Sequence, residues 1–120
     1  MLLTHHGKLR RWLQLGGHCD GDADLARVAL REATKESGIE GLAIDPVPID
    51  VDIHTIPAHK GEPEHLHLDT RFLVRAPAGA VARASDESIG LRWFRAEELD
   101  SVETDESVRR LVRIALSSLA

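Results

Sequence analysis

Aromatic residues make up only 3% of this 120-residue chain, so few side chains can serve as stacking platforms for bases. Lysine and arginine never gather into a basic block, and the net charge is −5. Neither a groove for a nucleic-acid duplex nor a surface for anionic membranes is expected from that balance. No apolar run approaches the roughly 20 residues needed to span a bilayer. The N-terminus shows neither the long apolar region nor the cleavage site of a signal peptide. A single cysteine, Cys19, excludes an internal disulfide framework, and a reducing cytoplasm is the default compartment.

What remains is ordinary for a globular protein: 42% hydrophobic and 29% charged residues, enough for one domain over residues 1–120 with a real core. Met1 to His6 reads as a short strand, and Trp12 to Leu15 as a second that ends at Gly16-Gly17. Asp20 to Asp24 offers helix N-cap residues, because aspartate oxygens accept hydrogen bonds from otherwise unpaired N–H groups. From there Leu25, Val28, Ala29 and Ala33 recur at helical spacing as far as Ser37. Gly38 suits a left-handed C-terminal cap.

Beyond this helix the pattern turns to strands. Pro46 and Pro48 interrupt its start; then Ile49, Val51 and Ile53 alternate with Asp50, Asp52 and His54, which predicts a half-buried strand with its apolar residues inward. Leu66 to Arg75 and Ile89 to Phe94 read as further strands, and a final helix from about Thr104 carries the stripe Val108, Leu111, Val112, Ala115 and Leu119. Strands interspersed with two helices predict an α/β fold with a mixed sheet and a helix on each face.

The segment from Gly16 to Ile39, GGHCDGDADLARVALREATKESGI, carries the chemistry. Glu32 and Glu36 are one helical turn apart and share a face. Two carboxylates placed together repel, and a divalent cation is the ready explanation for keeping them so. The segment resembles the Nudix box, G-x5-E-x7-R-E-U-x-E-E-x-G-U with U aliphatic. Gly17, Arg31, Glu32, Glu36, Gly38 and Ile39 fall on its consensus positions. Ala23 stands where the box has its first Glu, and Lys35 where it has the first of the Glu pair. The likeness continues through Leu91-Arg92-Trp93-Phe94 and Glu97-Glu98-Leu99, so it covers nearly the whole chain, without the additional N-terminal strand usual in that family. A partner chain covering the exposed sheet edge, hence a homodimer, would be one response to that difference.

The resemblance implies a Nudix-like α/β/α sandwich and Mg²⁺- or Mn²⁺-dependent hydrolysis of a nucleotide-derived small molecule, a nucleoside diphosphate linked to another moiety. It implies Glu36 as the foremost metal ligand, Glu32 as second ligand or the group that deprotonates water, and Arg31 as the brace of the loop. Gly17 would give a carbonyl ligand or a tight turn, and Glu87, with Asp86 as the neighbouring alternative, an acidic ligand from outside the box. Lys35 either binds a phosphate directly or makes a surface ion pair with Glu32 or Glu36; an ammonium cannot ligate a metal. Asp22 or Asp24 either shifts inward to replace the missing Glu at Ala23 or simply caps the helix. His18 and His67 are candidate substrate contacts. The loss of two box carboxylates also admits a module that binds a nucleotide or partner without catalysis. A rival reading takes His65, His67 and Asp69, on one face of a strand, as part of a transition-metal site to which His5, His6, His18, His54 or His59 could add.

Overall fold

A computed structural model describes residues 1–7, 9–17, 19, 21–85 and 88–118. In chain order the elements are β1 (Leu2–His6), β2 (Trp12–Leu13), α1 (Leu25–Ser37), β3 (Ala43–Ile44), β4 (Asp50–Ile56), β5 (His65–Arg71), β6 (Val74–Arg75), β7 (Ser88–Trp93), a 3-10 helix (Ala96–Ser101) and α2 (Glu106–Ser118). This is the α/β arrangement expected from the sequence.

β1 lies between β2 and β7 and pairs antiparallel with both. Against this sheet pack the 3-10 helix and α2, and their contact holds the core of Leu3, Phe94, Leu99, Val108 and Val112. The stripe on α2 buries as its spacing requires, with Val108, Leu111, Val112 and Ala115 inward; Leu119 lies outside the described residues. Trp12 N–H donates to Glu103 O at 2.8 Å, and the Thr104 hydroxyl donates to Trp12 O at 2.6 Å. These two bonds fasten β2 to the start of α2.

The middle of the chain forms a long irregular hairpin. β4 pairs with β5, and β3 pairs with β6, both antiparallel. Residues 66–75 were expected to form one strand, but the ladder breaks at Phe72-Leu73. The cause lies opposite: Pro46 and Pro48 cannot donate to a ladder. Asp45 N–H to Leu73 O at 3.0 Å and Ile49 N–H to Arg71 O at 2.9 Å carry the pairing past the interruption. The hairpin turns at Lys60-Gly61, both with positive φ, 47° and 82°.

The alternation in β4 is inverted relative to expectation. Val51 and Ile53 are 51% and 58% exposed, as are their neighbours Leu66 and Leu68 at 65% and 61%, while Asp50 and Asp52 are half-buried. Ion pairing decides it. Arg71 of β5 is buried and lies 3.2 Å from Asp50 and 3.3 Å from Asp52, and Arg110 of α2 reaches the same two carboxylates at 3.1 and 2.9 Å. Arg71 also donates to the Ser107 carbonyl at 2.8 Å and to the Ser107 hydroxyl. Such charge-assisted bonds hold the acidic face toward α2 and turn the apolar face outward.

Between α1, the edge of β5 and β6, β1 and α2 lies a cavity of about 1440 Å³.

Candidate functional site

Helix α1 sets the geometry. Asp24 caps it by accepting the Arg27 N–H at 3.1 Å, and Gly38 closes it at φ 67°, with its N–H bonded to Thr34 O. The turn between these caps presents Glu32 and Glu36 to the large cavity, and both line it together with Gly16 and Gly17.

The glycine loop lies directly on the two carboxylates. Gly16 N–H donates to Glu36 Oε2 at 3.1 Å. A Cβ on Gly17 would stand 2.7 Å from both Cδ and Oε2 of Glu32, so only glycine allows the loop and that carboxylate to approach this closely. Gly16, by contrast, has nothing within 4 Å of where its Cβ would be. Glu32 has only 14% of its side chain exposed, and Arg31 Nε stands 3.7 Å from its Oε1. Arg31 itself is half exposed.

Lys35 is exposed and lines the cavity, and among the ion pairs of the described residues none joins it to Glu32 or Glu36. Its position in the last turn is favourable for a cation at the helix C-terminus. Ala23 is exposed, and its acidic neighbours do not replace the missing Glu. Asp22 accepts Asp24 N–H at 2.9 Å and pairs with Arg27 at 2.6 Å. The backbone bond from Asp24, then the Arg27 guanidinium, hold the Asp22 carboxyl below the ordinary aspartate range. Both aspartates serve the helix cap.

His67 lines the cavity on β5, with Nε2 3.2 Å from Asp69 Oδ1. His65, on the same face, donates from Nδ1 to Pro63 O at 2.9 Å. His18, Asp86 and Glu87 lie outside the described residues; Ser85 and Ser88, which bracket the latter two, line the cavity. Sequence reasoning offered His54 as one of several histidines that could join Asp69, but it did not foresee Asp52, which comes together with both across the hairpin. Strand register alone brings them together, and no local pattern encodes it. Cys19, half-buried, also lines the cavity.

The architecture and this loop-on-helix site define the class. A NUDIX domain model matches residues 1–113, and the chain belongs to the Nudix family. Among solved structures it resembles a Caenorhabditis elegans Ap4A hydrolase binary complex, with 20% identity and a TM-score of 0.74 over 98% of this chain and 84% of that one. A NUDIX family hydrolase from Clostridium perfringens shares 23% identity at a TM-score of 0.73, over 99% and 89% of the two chains. A second C. elegans Ap4A hydrolase structure gives 20% identity and a TM-score of 0.69, over 99% and 85%. These likenesses are of fold. No curated protein matches the sequence.

Proposed function

We propose that this chain is a single-domain hydrolase that cleaves the pyrophosphate bond of a nucleoside diphosphate linked to another moiety, with turnover held down by Ala23 and Lys35. The observation that supports it most is the joint presentation of Glu32 and Glu36 to one cavity, beneath a glycine loop that rests on both.

The donor set fits Mg²⁺ or Mn²⁺, hard cations that take carboxylate and carbonyl oxygens. Glu32, Glu36 and the Gly17 carbonyl would hold it, with Glu87 the candidate for an acidic ligand from the neighbouring loop. When bound there, the ion would neutralise diphosphate charge and lower the pKa of its water. The chain's own groups do the rest. Glu36 anchors the loop through Gly16 N–H. Arg31 keeps the Glu32 carboxylate in place, and Glu32 accepts the proton from the attacking water. Lys35 offers its ammonium to a phosphate oxygen at the cavity rim, where the box ordinarily has a carboxylate. His18 and His67 are the proposed substrate contacts, His67 from the hairpin side of the cavity.

Ap4A, the molecule named for two similar structures, heads the substrate panel. Release of a nucleoside phosphate that depends on Mg²⁺ or Mn²⁺ is the expected result, and Glu36→Gln is expected to lower it at least about a hundredfold. The glutamine oxygen keeps the Gly16 bond, so the variant removes charge rather than the loop anchor. Unchanged turnover in Glu36→Gln would overturn the reading.

The departures at Ala23 and Lys35 favour, as the second reading, a module that binds a nucleotide or partner without turnover. Among the described residues no helix is long and apolar enough to cross a membrane, and the cytoplasm is the proposed compartment. The outward face of Val51, Ile53, Leu66 and Leu68 is a contiguous apolar patch of the kind that marks an interface. A homodimer through this face is the proposed assembly, and sedimentation of Ile53→Glu beside the parent chain tests it: equal masses would refute it.

A further inference from the structure

The β4–β5 hairpin carries a second set of metal-type donors, distinct from the box carboxylates. Its register sets Asp52 opposite Asp69 and His54 opposite His67. All four side chains leave the same face, since strand residues alternate and cross-strand partners share a side. One donor atom each from Asp52, His54 and Asp69 lies within 4.8 Å of the others. Ligands about 2.0–2.2 Å from a tetrahedral ion stand roughly 3.3–3.6 Å apart, so the set closes by rotation of His54 and Asp69 toward Asp52, which Arg71 and Arg110 hold in place. The two imidazole rings are already 5.0 Å apart.

Charge supplies an independent reason. Carboxylates directly opposite each other on a strand pair repel. Asp52 is compensated by Arg71 and Arg110. Among the described residues no arginine or lysine reaches Asp69, which stands against His67 instead. Asp50, Asp52 and Asp69 against Arg71 and Arg110 leave one negative charge over, on the side where His54 and His67 stand.

We propose that Asp52, His54 and Asp69 bind a divalent transition-metal ion, Zn²⁺ foremost, with His67 positioning Asp69 through its 3.2 Å contact. Imidazole nitrogen mixed with carboxylate oxygen selects borderline ions such as Zn²⁺ and Co²⁺ over Mg²⁺. The ion ties β4 to β5 beside the cavity, which His67 and Asp69 line and Asp52 and His54 do not.

The test uses untagged protein dialysed against chelator and titrated with Co²⁺, read by visible absorption, followed by displacement with Zn²⁺. The expected result is one equivalent of Co²⁺ with the intense bands of a four-coordinate site. His54→Ala and Asp69→Asn should each weaken binding at least about tenfold, and His67→Ala by about tenfold as an outer partner. The Glu32→Gln/Glu36→Gln variant should bind Co²⁺ like the parent, which separates this site from the box. Zn²⁺ should raise the thermal midpoint of the parent and not of His54→Ala. Absence of the bands in the folded parent, or bands that persist in His54→Ala and Asp69→Asn, would overturn the proposal. So would their loss in the Glu32→Gln/Glu36→Gln variant.

Discussion

Replacing Gly17 by alanine adds one carbon at the point where the glycine loop meets Glu32. That carbon would stand 2.7 Å from Glu32 Cδ and Oε2 and 2.9 Å from Cγ. Favourable contacts between carbons lie at about 3.5–4.0 Å, so the carboxylate must retreat by roughly 1 Å. Glu32 is a flexible side chain, and the retreat costs about 0.5–1.5 kcal/mol of rotamer strain, a fall in Tm of a few degrees. Function is more sensitive, because a displacement of about 1 Å in a catalytic constellation costs on the order of a hundredfold in rate. The adjacent Gly16 is the internal control. Its Cβ would meet open space, and Gly16→Ala leaves the N–H that Glu36 accepts. The assay is Mn²⁺ affinity and kcat/KM on Ap4A, with Tm measured in parallel. Gly17→Ala should weaken Mn²⁺ binding and lower kcat/KM about a hundredfold with Tm lowered by only a few degrees, while Gly16→Ala stays within about threefold of the parent. If the two variants behave alike, the close approach of loop and carboxylate is not what shapes the site.

Ala23→Glu with Lys35→Glu should raise turnover and tighten Mg²⁺ binding, at a small cost in stability because Lys35 sits at the favourable end of the helix dipole; a steady-state assay with varied Mg²⁺ checks this, and an inert revertant would place the limitation outside the box. Arg71→Ala should destabilise the chain by about 3 kcal/mol, because it removes the buried partner of two carboxylates and leaves them to Arg110 alone; in denaturant melts this is a clear fall in midpoint. The same cluster governs acid stability. Burial raises the Asp52 pKa, but hydrogen bonds from Arg110 and Ser107 and the charges of Arg71 and Arg110 outweigh it and leave it below the ordinary aspartate value. A depressed carboxyl stabilises the fold above its unfolded pKa, near pH 4, and loses that contribution as pH falls through the folded value. Acid unfolding of the parent should therefore begin below about pH 4 and shift to higher pH in Arg71→Ala.

The parts of this fold that were legible in the sequence are those fixed by neighbours a few residues apart. Asp24 and Gly38 bound α1 because capping is a matter of local backbone bonds, and the α2 stripe is set by helical period. The Glu32–Glu36 pair and the glycine loop before it could be matched to a box for the same reason. The hairpin was misjudged where distant chain segments decide. Alternation placed Val51 and Ile53 inward, yet the fold turned Asp50 and Asp52 inward instead, because Arg110, some 60 residues on, and Arg71 were there to neutralise them. A period-two pattern says which residues share a face, and it does not say which face is buried. Read with the register, the same pattern changes meaning: His67 and Asp69, one half of a histidine-rich strand, acquire Asp52 and His54 as cross-strand neighbours. The cavity thus has two chemically different walls. One, on the helix, offers oxygen donors of the box; the other, on the hairpin, mixes imidazole with carboxylate. The two proposed metal sites should therefore select different ions, by donor chemistry rather than by fold.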